Sequence, residues 1–157
     1  MEIQAITPET RAQVNAFITS HWYSTEMILR GEVINMTAVD GYFVERDGAT
    51  AALITYLVRD DVCEITSLDS LIEGRGTGSA LVGKVIETAR GRGCRKVIVV
   101  TTNDNIHAIR FYQKRGFDMA RLYHNALSKS RELKPSIPLI GNDGIPLRHE
   151  IEFELLL

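Results

Sequence analysis

The chain has 157 residues, 45% of them hydrophobic, and a formal net charge of -2 at pH 7. This length predicts a single domain, residues 1–157, that can bury a sizeable core. The near-neutral charge argues against binding to nucleic acid or to a membrane surface. No stretch is apolar for long enough to span a bilayer, and the start of the chain lacks the basic segment and apolar run of a signal peptide.

The two cysteines, Cys63 and Cys94, lie far apart in the sequence and have neither metal-binding nor redox spacing. We therefore expect buried free thiols, which are typical of a reducing compartment, and hence a cytoplasmic protein. No metal site is predicted.

The chain is predicted to begin with a short strand over residues 1–6, followed by a helix. Thr7 is expected as the N-cap of this helix and Pro8 as its first residue, and the helix is expected to end near Ser20. Its buried face consists of three apolar residues: Val14, Phe17 and Ile18.

The next segment, residues 21–27, is dense in aromatic and polar side chains and has no clear period. One interpretation is a loop or short helix that places Trp22 in the core. The other is one wall of a ligand pocket, and the two can hold together.

Three antiparallel strands are predicted in the middle of the chain. The first covers residues 41–46 and ends at Asp47-Gly48, a dipeptide typical of two-residue hairpin turns. The second covers residues 49–58, and after a turn at residues 59–61 the third covers residues 62–68.

A glycine-rich segment, residues 73–80, follows the third strand. Glycine allows the backbone to bend sharply and to approach a ligand closely. A helical pattern begins directly after it, so the start of this helix would point free N–H groups and a partial positive charge at the loop. These features predict a phosphate-bearing ligand held by the main chain.

Two nucleotide-binding motifs do not fit this segment. A dinucleotide fingerprint, G-x-G-x-x-G, needs a third glycine where the chain has Ser79 or Leu81. The phosphate loop of NTPases needs a hydroxyl residue after Gly83-Lys84, and the chain has Val85. The pattern that remains is G-x-G between a strand and a helix.

The helix after the glycines is predicted to end at Gly91 and Gly93. Residues 97–100 are a continuous apolar run, as in a strand buried on both faces, and a strand, a helix and a strand in this order imply a parallel crossover. Residues 103–105 are expected to cap a second helix over residues 106–115. The buried stripe of the first helix is formed by Leu81, Val82, Val85, Ile86 and Ala89.

The C-terminal part is predicted to contain a strand over residues 117–123 and a polar, ambiguous segment over residues 125–134. Residues 135–138 are expected to be an extended loop, and residues 141–144 a turn.

The final strand alternates strictly between apolar and acidic residues. Ile151, Phe153 and Leu155 are predicted to face inward, and Glu150, Glu152 and Glu154 outward. This strand could pair across a homodimer.

These elements predict an α/β fold without repeats or linkers. We expect a mixed central sheet of about seven strands, antiparallel in its N-terminal half, with a parallel pair and about four helices.

Two motifs carry a resemblance to a known family. Gly76 and Gly78 fill the two glycine positions of the acyl-CoA loop of the GNAT N-acetyltransferases, and Glu73 stands where that family usually has Gln or Arg. The family's second signature, N-x-x-A-x-x-F-Y-x-x-x-G-F, is matched by Asn105, Ala108, Phe111, Tyr112, Gly116 and Phe117. The two motifs together cover residues 62–117, and the chain is therefore identified as a member of this family, similar to a bacterial subgroup.

The resemblance implies that acetyl-CoA is bound where the parallel pair of strands splays apart. The pantetheine arm would pair with the main chain like an added strand, and an N–H near Leu68 would face the thioester oxygen. The implied cofactor-binding residues are Thr66, Ser67, Leu68, Glu73, Gly74, Arg75, Gly76, Thr77, Gly78, Ser79, Asn105, Ala108, Phe111 and Tyr112. Asn105 would either bond the pantetheine or cap its own helix.

The implied reaction is direct acetyl transfer to an amine, with a small molecule as the expected acceptor and a protein amine as an open alternative. Tyr112 would hydrogen-bond or protonate the leaving thiolate. Glu64, expected to share a strand face with Thr66 and Leu68 by the period of two, is the first candidate base, and Asp69 is the second. The expected acceptor pocket comprises Trp22, Glu26, Asp69 and Tyr123. A CoA-binding or regulatory module without turnover is the alternative, which Glu73 favours.

Overall fold

The computed structural model describes residues 1–157 and contains four α-helices and nine β-strands. The helices are α1 (Arg11–Trp22), α2 (Thr77–Gly91), α3 (Ile106–Lys114) and α4 (Ala126–Leu133). The strands are β1 (Ile3–Ala5), β2 (Glu26–Leu29), β3 (Glu32–Asn35), β4 (Asp40–Arg46), β5 (Ala49–Arg59), β6 (Val62–Ser70), β7 (Lys96–Thr102), β8 (Asp118–Tyr123) and β9 (Glu150–Leu156). None of the helices is long and apolar enough to cross a membrane.

Seven strands form one mixed sheet in the order β1-β4-β5-β6-β7-β9-β8, and β2 and β3 form a separate ribbon. The sheet is mostly antiparallel with one parallel pair, so the predicted mixed sheet of seven strands with four helices is confirmed. β9 has a neighbouring strand on both sides. The prediction that this strand could pair across a dimer is therefore wrong, and β1 and β8 are the edge strands.

The chain divides into two compact units. The first comprises residues 1–27, 35–97 and 157. It contains the antiparallel ladder of β1, β4, β5 and β6, whose turn at Asp47-Gly48 has φ of 54° and 79°, as a two-residue hairpin requires. Its core is completed by the predicted stripe of α2, of which four members are buried: Leu81, Val82, Val85 and Ala89.

The second unit comprises residues 28–34 and 98–156. β8 and β9 pair antiparallel along its outer part. Its fully buried aromatic residues are Phe117 and Phe153. The segment 125–134 that the sequence left ambiguous is largely the helix α4, where only Leu127 and Ser130 are buried, too few to make a clear stripe.

The start of α1 differs from the prediction. The helix begins at Arg11 with Thr10 as N-cap residue, whereas Thr7 and Pro8 lie before it. The Thr7 N–H donates to Thr10 Oγ1 at 2.8 Å, and Thr10 N–H donates to the Thr7 carbonyl at 3.1 Å. The Thr10 hydroxyl thus stabilises a turn of residues 7–10 that precedes the helix.

The end of α1 also differs. The helix continues to Trp22 instead of ending near Ser20, and Tyr23 terminates it in the left-handed conformation with φ of 55°. Trp22 is 41% exposed, so the interpretation that it fills the core is wrong.

The β2–β3 ribbon was not predicted. Its two strands are joined by Arg30 and Gly31, both with positive φ (51° and 74°), as in a type I′ hairpin. Asn-Gly or Asp-Gly would have marked this turn, whereas Arg at the first position gives no such signal.

The orientation of β9 is the largest correction. Phe153 is fully buried as predicted, but Glu150 and Glu152 are only 2% and 5% exposed instead of facing solvent. Both lie near the turn of the β2–β3 ribbon: the Arg30 N–H donates to Glu150 Oε1 at 3.1 Å, and Arg30 Nη1 lies 3.7 Å from Glu152 Oε1. A long-range contact therefore covers a face that the alternation alone assigned to water.

Candidate functional site

The glycine loop leaves a run of main-chain donors without partners. Gly74 and Gly76 have φ of 68° and 69°, a conformation that side chains with a Cβ rarely adopt. The N–H groups of residues 73–78 form no hydrogen bond. The first bond of α2 joins the Ala80 N–H to the Gly76 carbonyl at 3.0 Å.

α2 has no side chain at its N-terminus to cap it. The Thr77 side chain is 2% exposed, and its Oγ1 has no hydrogen-bond partner. Unpaired N–H groups, the positive end of the helix dipole and an unsatisfied hydroxyl make this end of the helix suited to an anion. Arg75 and Glu73 are both exposed in the same loop.

Strand β6 carries a β-bulge. The register against β5 pairs Tyr56 with Ile65 and Thr55 with Ser67, so that Thr66 is the extra residue. The Thr55 hydroxyl lies 2.7 Å from the Thr66 Oγ1 and 2.6 Å from the Ser67 Oγ. Three buried hydroxyls thus fix the backbone at the bulge.

The bulge changes which β6 side chains share a face. Directly opposed residues lie on the same side of a sheet, and Glu64, Ser67 and Asp69 oppose Leu57, Thr55 and Leu53, which are alternate residues of β5. The prediction that Glu64 shares a face with Leu68 is therefore wrong. Glu64 is buried and shares its face with Asp69, the other candidate base.

Asp69 and Trp22, both predicted pocket residues, are brought together. The Trp22 indole Nε1 donates to Asp69 Oδ2 at 3.0 Å. Burial raises the pKa of Asp69 above its usual value, while the Trp22 hydrogen bond and the nearby His21 lower it. Glu26 begins β2 in the same unit and is exposed.

In the second unit, the start of α3 is capped. The Asn105 side chain accepts the Ala108 N–H at 3.1 Å, so the capping role predicted as one of two is confirmed. Asn103 and Asp104 do not cap the helix. Their side chains instead accept N–H groups from Arg148, His149 and Asn142.

Tyr112 lies on α3 and is buried among aromatic rings. Its ring centroid is 5.4 Å from that of Phe117 and 6.2 Å from that of Phe153. The Phe111 ring lies edge-on to that of Tyr112, with 5.1 Å between the centroids. The Arg115 guanidinium lies over the Phe111 ring, 3.6 Å from its centroid. The ring of Tyr112 therefore has a fixed position in the second unit.

Tyr123, at the end of β8, donates its hydroxyl proton to Glu152 Oε1 at 2.9 Å. Arg30 Nη1 lies 3.7 Å from the same oxygen. Neither Glu152 nor Arg30 was predicted as a site residue, because the alternation of β9 placed the glutamate in solvent and no motif marks the arginine.

The predicted site residues are thus divided between the two units. Trp22, Glu26 and residues 64–79 lie in the first, and those of α3 lie in the second with Tyr123. No group of three or more His, Cys, Asp or Glu residues is arranged to hold a metal ion.

The comparisons with known proteins identify the family of the chain. The model of the acetyltransferase (GNAT) family matches residues 9–117, and the chain therefore belongs to this family. It is 45% identical over 139 residues to the uncharacterized protein YxbD of Bacillus subtilis, covering 88% of this chain and 87% of that protein.

Two solved structures show the same fold. An IAA acetyltransferase from Bacillus cereus superposes with a TM-score of 0.71 at 22% identity, covering 99% of both chains. A GNAT family acetyltransferase from Elizabethkingia anophelis, crystallised with acetyl-CoA, superposes with a TM-score of 0.69 at 17% identity, covering 99% of this chain and 97% of that one.

Proposed function

We propose that this protein transfers an acetyl group from acetyl-CoA directly to an amine, with a small molecule as acceptor. The observation that carries the proposal is the N-terminus of α2, where residues 73–78 leave their N–H groups unpaired and Thr77 has an unsatisfied buried hydroxyl. A pyrophosphate offers the oxygens that these donors lack. Membership of the GNAT family and the acetyl-CoA complex of a structural neighbour support the same ligand.

In this proposal the glycine loop and the first turn of α2 bind the pyrophosphate, and Arg75 adds a positive charge. The pantetheine arm pairs with the main chain of residues 66–68, with contributions from α3 residues Asn105, Ala108 and Phe111. The N–H of Leu68 donates to the thioester oxygen. A well-placed donor of this kind stabilises the developing oxyanion by about 3–4 kcal/mol.

The chemical step has a simple balance. The amine nitrogen bonds to the thioester carbon, the carbon–sulfur bond breaks, and one proton leaves the nitrogen while another reaches the sulfur. Tyr112 hydrogen-bonds the leaving thiolate and supplies that proton. Its ring is already held by Phe117 and Phe153, so little conformational freedom is lost when the hydroxyl acts.

An alkyl ammonium titrates near ~10 and must lose a proton before it attacks, which requires a base. We propose Glu64 for this role. Asp69 is the second candidate, because burial raises its pKa and brings its proton affinity closer to that of a base working near neutrality. Trp22, Glu26, Asp69 and Tyr123 are proposed to contact the acceptor.

The two candidate bases can be separated by rate measurements across pH. If Glu64 is the base, Glu64→Gln lowers kcat/KM most at neutral pH and least at high pH, where the free amine is abundant. Asp69→Asn should then leave the acidic limb of the profile in place. If Asp69 is the base instead, Asp69→Asn should shift the acidic limb of the pH–rate profile, because the raised pKa of Asp69 keeps this carboxyl protonated to higher pH.

We further propose a cytoplasmic location and a homodimer. The free thiols of Cys63 and Cys94 support the former, because unpaired cysteines are typical of a reducing compartment. The exposed apolar side chains of Met119 and Leu122 on edge strand β8 support the latter.

One observation favours a second function, a CoA-binding module without turnover. Glu73 places an exposed carboxylate in the loop that would hold the pyrophosphate. A panel of amines with acetyl-CoA, followed by thiol release, tests both. Release that depends on an amine supports the transferase, and binding of acetyl-CoA without release by any amine supports the module. A thermal shift with ATP or NAD but not acetyl-CoA would contradict both.

A further inference from the structure

Asp69 carries a negative charge that no cation of the protein compensates. Its one hydrogen bond comes from the Trp22 indole, which donates to Oδ2 at 3.0 Å. No lysine or arginine forms an ion pair with it, and the one charged group that influences its pKa is His21 on α1. Removing a carboxylate from water is costly unless charges or several donors compensate for it. Asp69 is half-buried and has the indole alone.

The other oxygen of Asp69 is open to solvent. Oδ1 has no hydrogen-bond partner and is not buried. The Trp22 N–H can only donate, so it favours the charged form of the carboxyl. Burial raises the pKa of Asp69, and the Trp22 hydrogen bond lowers it. Trp22 therefore fixes the carboxylate through Oδ2 and helps to keep it charged, while Oδ1 is free to face a ligand.

Asp69 also lies next to the proposed centre of acetyl transfer. It follows Leu68 on β6, whose N–H is proposed to donate to the thioester oxygen. The Cα atoms of neighbouring residues are about 3.8 Å apart, and both residues belong with Trp22 to the first compact unit. An amine that attacks the thioester carbon therefore brings its own substituents close to the Asp69 carboxylate.

We propose that Asp69, positioned by Trp22, determines acceptor specificity by excluding amines that carry a carboxylate beside the reacting nitrogen. Free α-amino acids are then excluded, and the acceptors are amines whose neighbouring groups are neutral or positively charged. This inference rests on the proposed acetyl transfer. Two carboxylates at close range repel each other strongly where water is partly excluded. Such a repulsive group discriminates between ligands without any new attractive contact.

The test starts from the best acceptor in the amine panel. It compares two derivatives that carry either a carboxylate or a carboxamide on the carbon next to the nitrogen, which differ in charge but hardly in size. The wild-type protein should favour the carboxamide by about tenfold or more in kcat/KM. Asp69→Asn should lower this preference by about tenfold, because Asn can still accept the indole N–H but has no charge. The different basicities of the two amines cancel when the preference is compared between proteins.

The role of Trp22 is tested by the pH dependence of the same preference. The Asp69 charge is present above its pKa, so the preference of the wild-type protein should be lost as the pH falls through that pKa. Trp22→Phe removes the donor that lowers the pKa of Asp69, so the loss should occur at higher pH. His21 is present in both proteins, so its influence cancels. A Trp22 with a purely structural role would change rates without moving this midpoint.

Asp60→Asn is the matched control. It removes a carboxylate from the exposed β5–β6 turn, where φ is 54°, a conformation that Asn tolerates, and it should keep the preference. Three results would overturn this inference alone: an α-amino acid as best acceptor, wild-type rejection of both derivatives, or an unchanged preference in Asp69→Asn. Failure of the wild-type protein to acetylate any amine would instead overturn the proposed function.

Discussion

The N-termini of α2 and α3 differ in whether a side chain caps their unpaired N–H groups. Every helix begins with N–H groups that have no partner inside the helix. At α3 the Asn105 side chain accepts one of them, from Ala108 at 3.1 Å. At α2 the residue in the corresponding position is Gly76, which has no side chain to donate or accept, and Thr77 behind it keeps an unpaired hydroxyl.

The difference shows that α3 is stabilised by a side-chain cap and that α2 is not. A side-chain cap stabilises a helix by about 1 kcal/mol relative to Ala at the N-cap and by a few tenths of a kcal/mol relative to Gly. With Gly76 at this position, α2 lacks the smaller of these contributions although it is the longer helix. Its loop also adopts positive φ at two glycines. An anion bound from outside would supply the missing partners, whereas α3 needs none.

The largest effect is expected from blocking the unpaired N–H groups at the N-terminus of α2. Gly78→Val places a branched side chain at the second residue of the helix, against the main-chain donors. Two or more charge-assisted hydrogen bonds should be lost, which amounts to about 4 kcal/mol or roughly a thousandfold in the Kd of CoA by calorimetry.

Gly83→Val is the matched control, because it makes the same change in the same helix. Gly83 is exposed and a Cβ there meets no atom within 4 Å. This variant should bind CoA like the wild-type protein, and α2 should be no less stable, because Val has a slightly higher helix propensity than Gly. Equal loss of affinity in both variants would mean that the effect comes from helix stability and not from the ligand.

Tyr112→Phe, a change in α3, should lower the rate of acetyl transfer without weakening CoA binding, which depends on α2. The hydroxyl acts only once the thioester begins to break, so kcat and kcat/KM should fall together by about a hundredfold. The ring packing remains, so the melting temperature and the Kd of CoA should stay close to those of the wild-type protein. A full rate in this variant would make Tyr112 a core residue only.

A smaller effect is expected from removing the side-chain cap at the N-terminus of α3. Asn105→Ala leaves the Ala108 N–H without its acceptor, which should lower the free energy of unfolding by about 1 kcal/mol in urea titrations. Asn105→Asp retains a capping oxygen and should lose less. If neither variant changes stability, the cap is not what holds α3 in place.

The smallest effect is expected at Glu73, whose carboxylate lies beside the open helix end. Glu73→Gln should tighten CoA binding by a few tenths of a kcal/mol, and more at low than at high salt, because exposed charges are screened. Weaker binding would show that Glu73 contributes a hydrogen bond to the ligand. Glu87→Gln, an exposed change later in α2, provides the comparison.

Local features of this chain could be read from the sequence, and long-range ones could not. The Asp47-Gly48 turn, the glycines of the loop and the Asn105 cap depend on residues close in sequence, and all three were predicted. The burial of Glu150 and Glu152 depends on a contact with Arg30, more than a hundred residues away. The bulge at Thr66 has no marker in the sequence, because a buried Thr also fits a regular strand.

The most direct test of the open helix end is the response of backbone amides to CoA, followed by NMR on the ¹⁵N-labelled protein. The amide signals of residues 74–78 should shift on addition of CoA and follow a saturating binding curve with the Kd measured by calorimetry, because their N–H groups gain acceptors. Saturation of the protein with CoA while these five signals stay in place would contradict the proposed anion site.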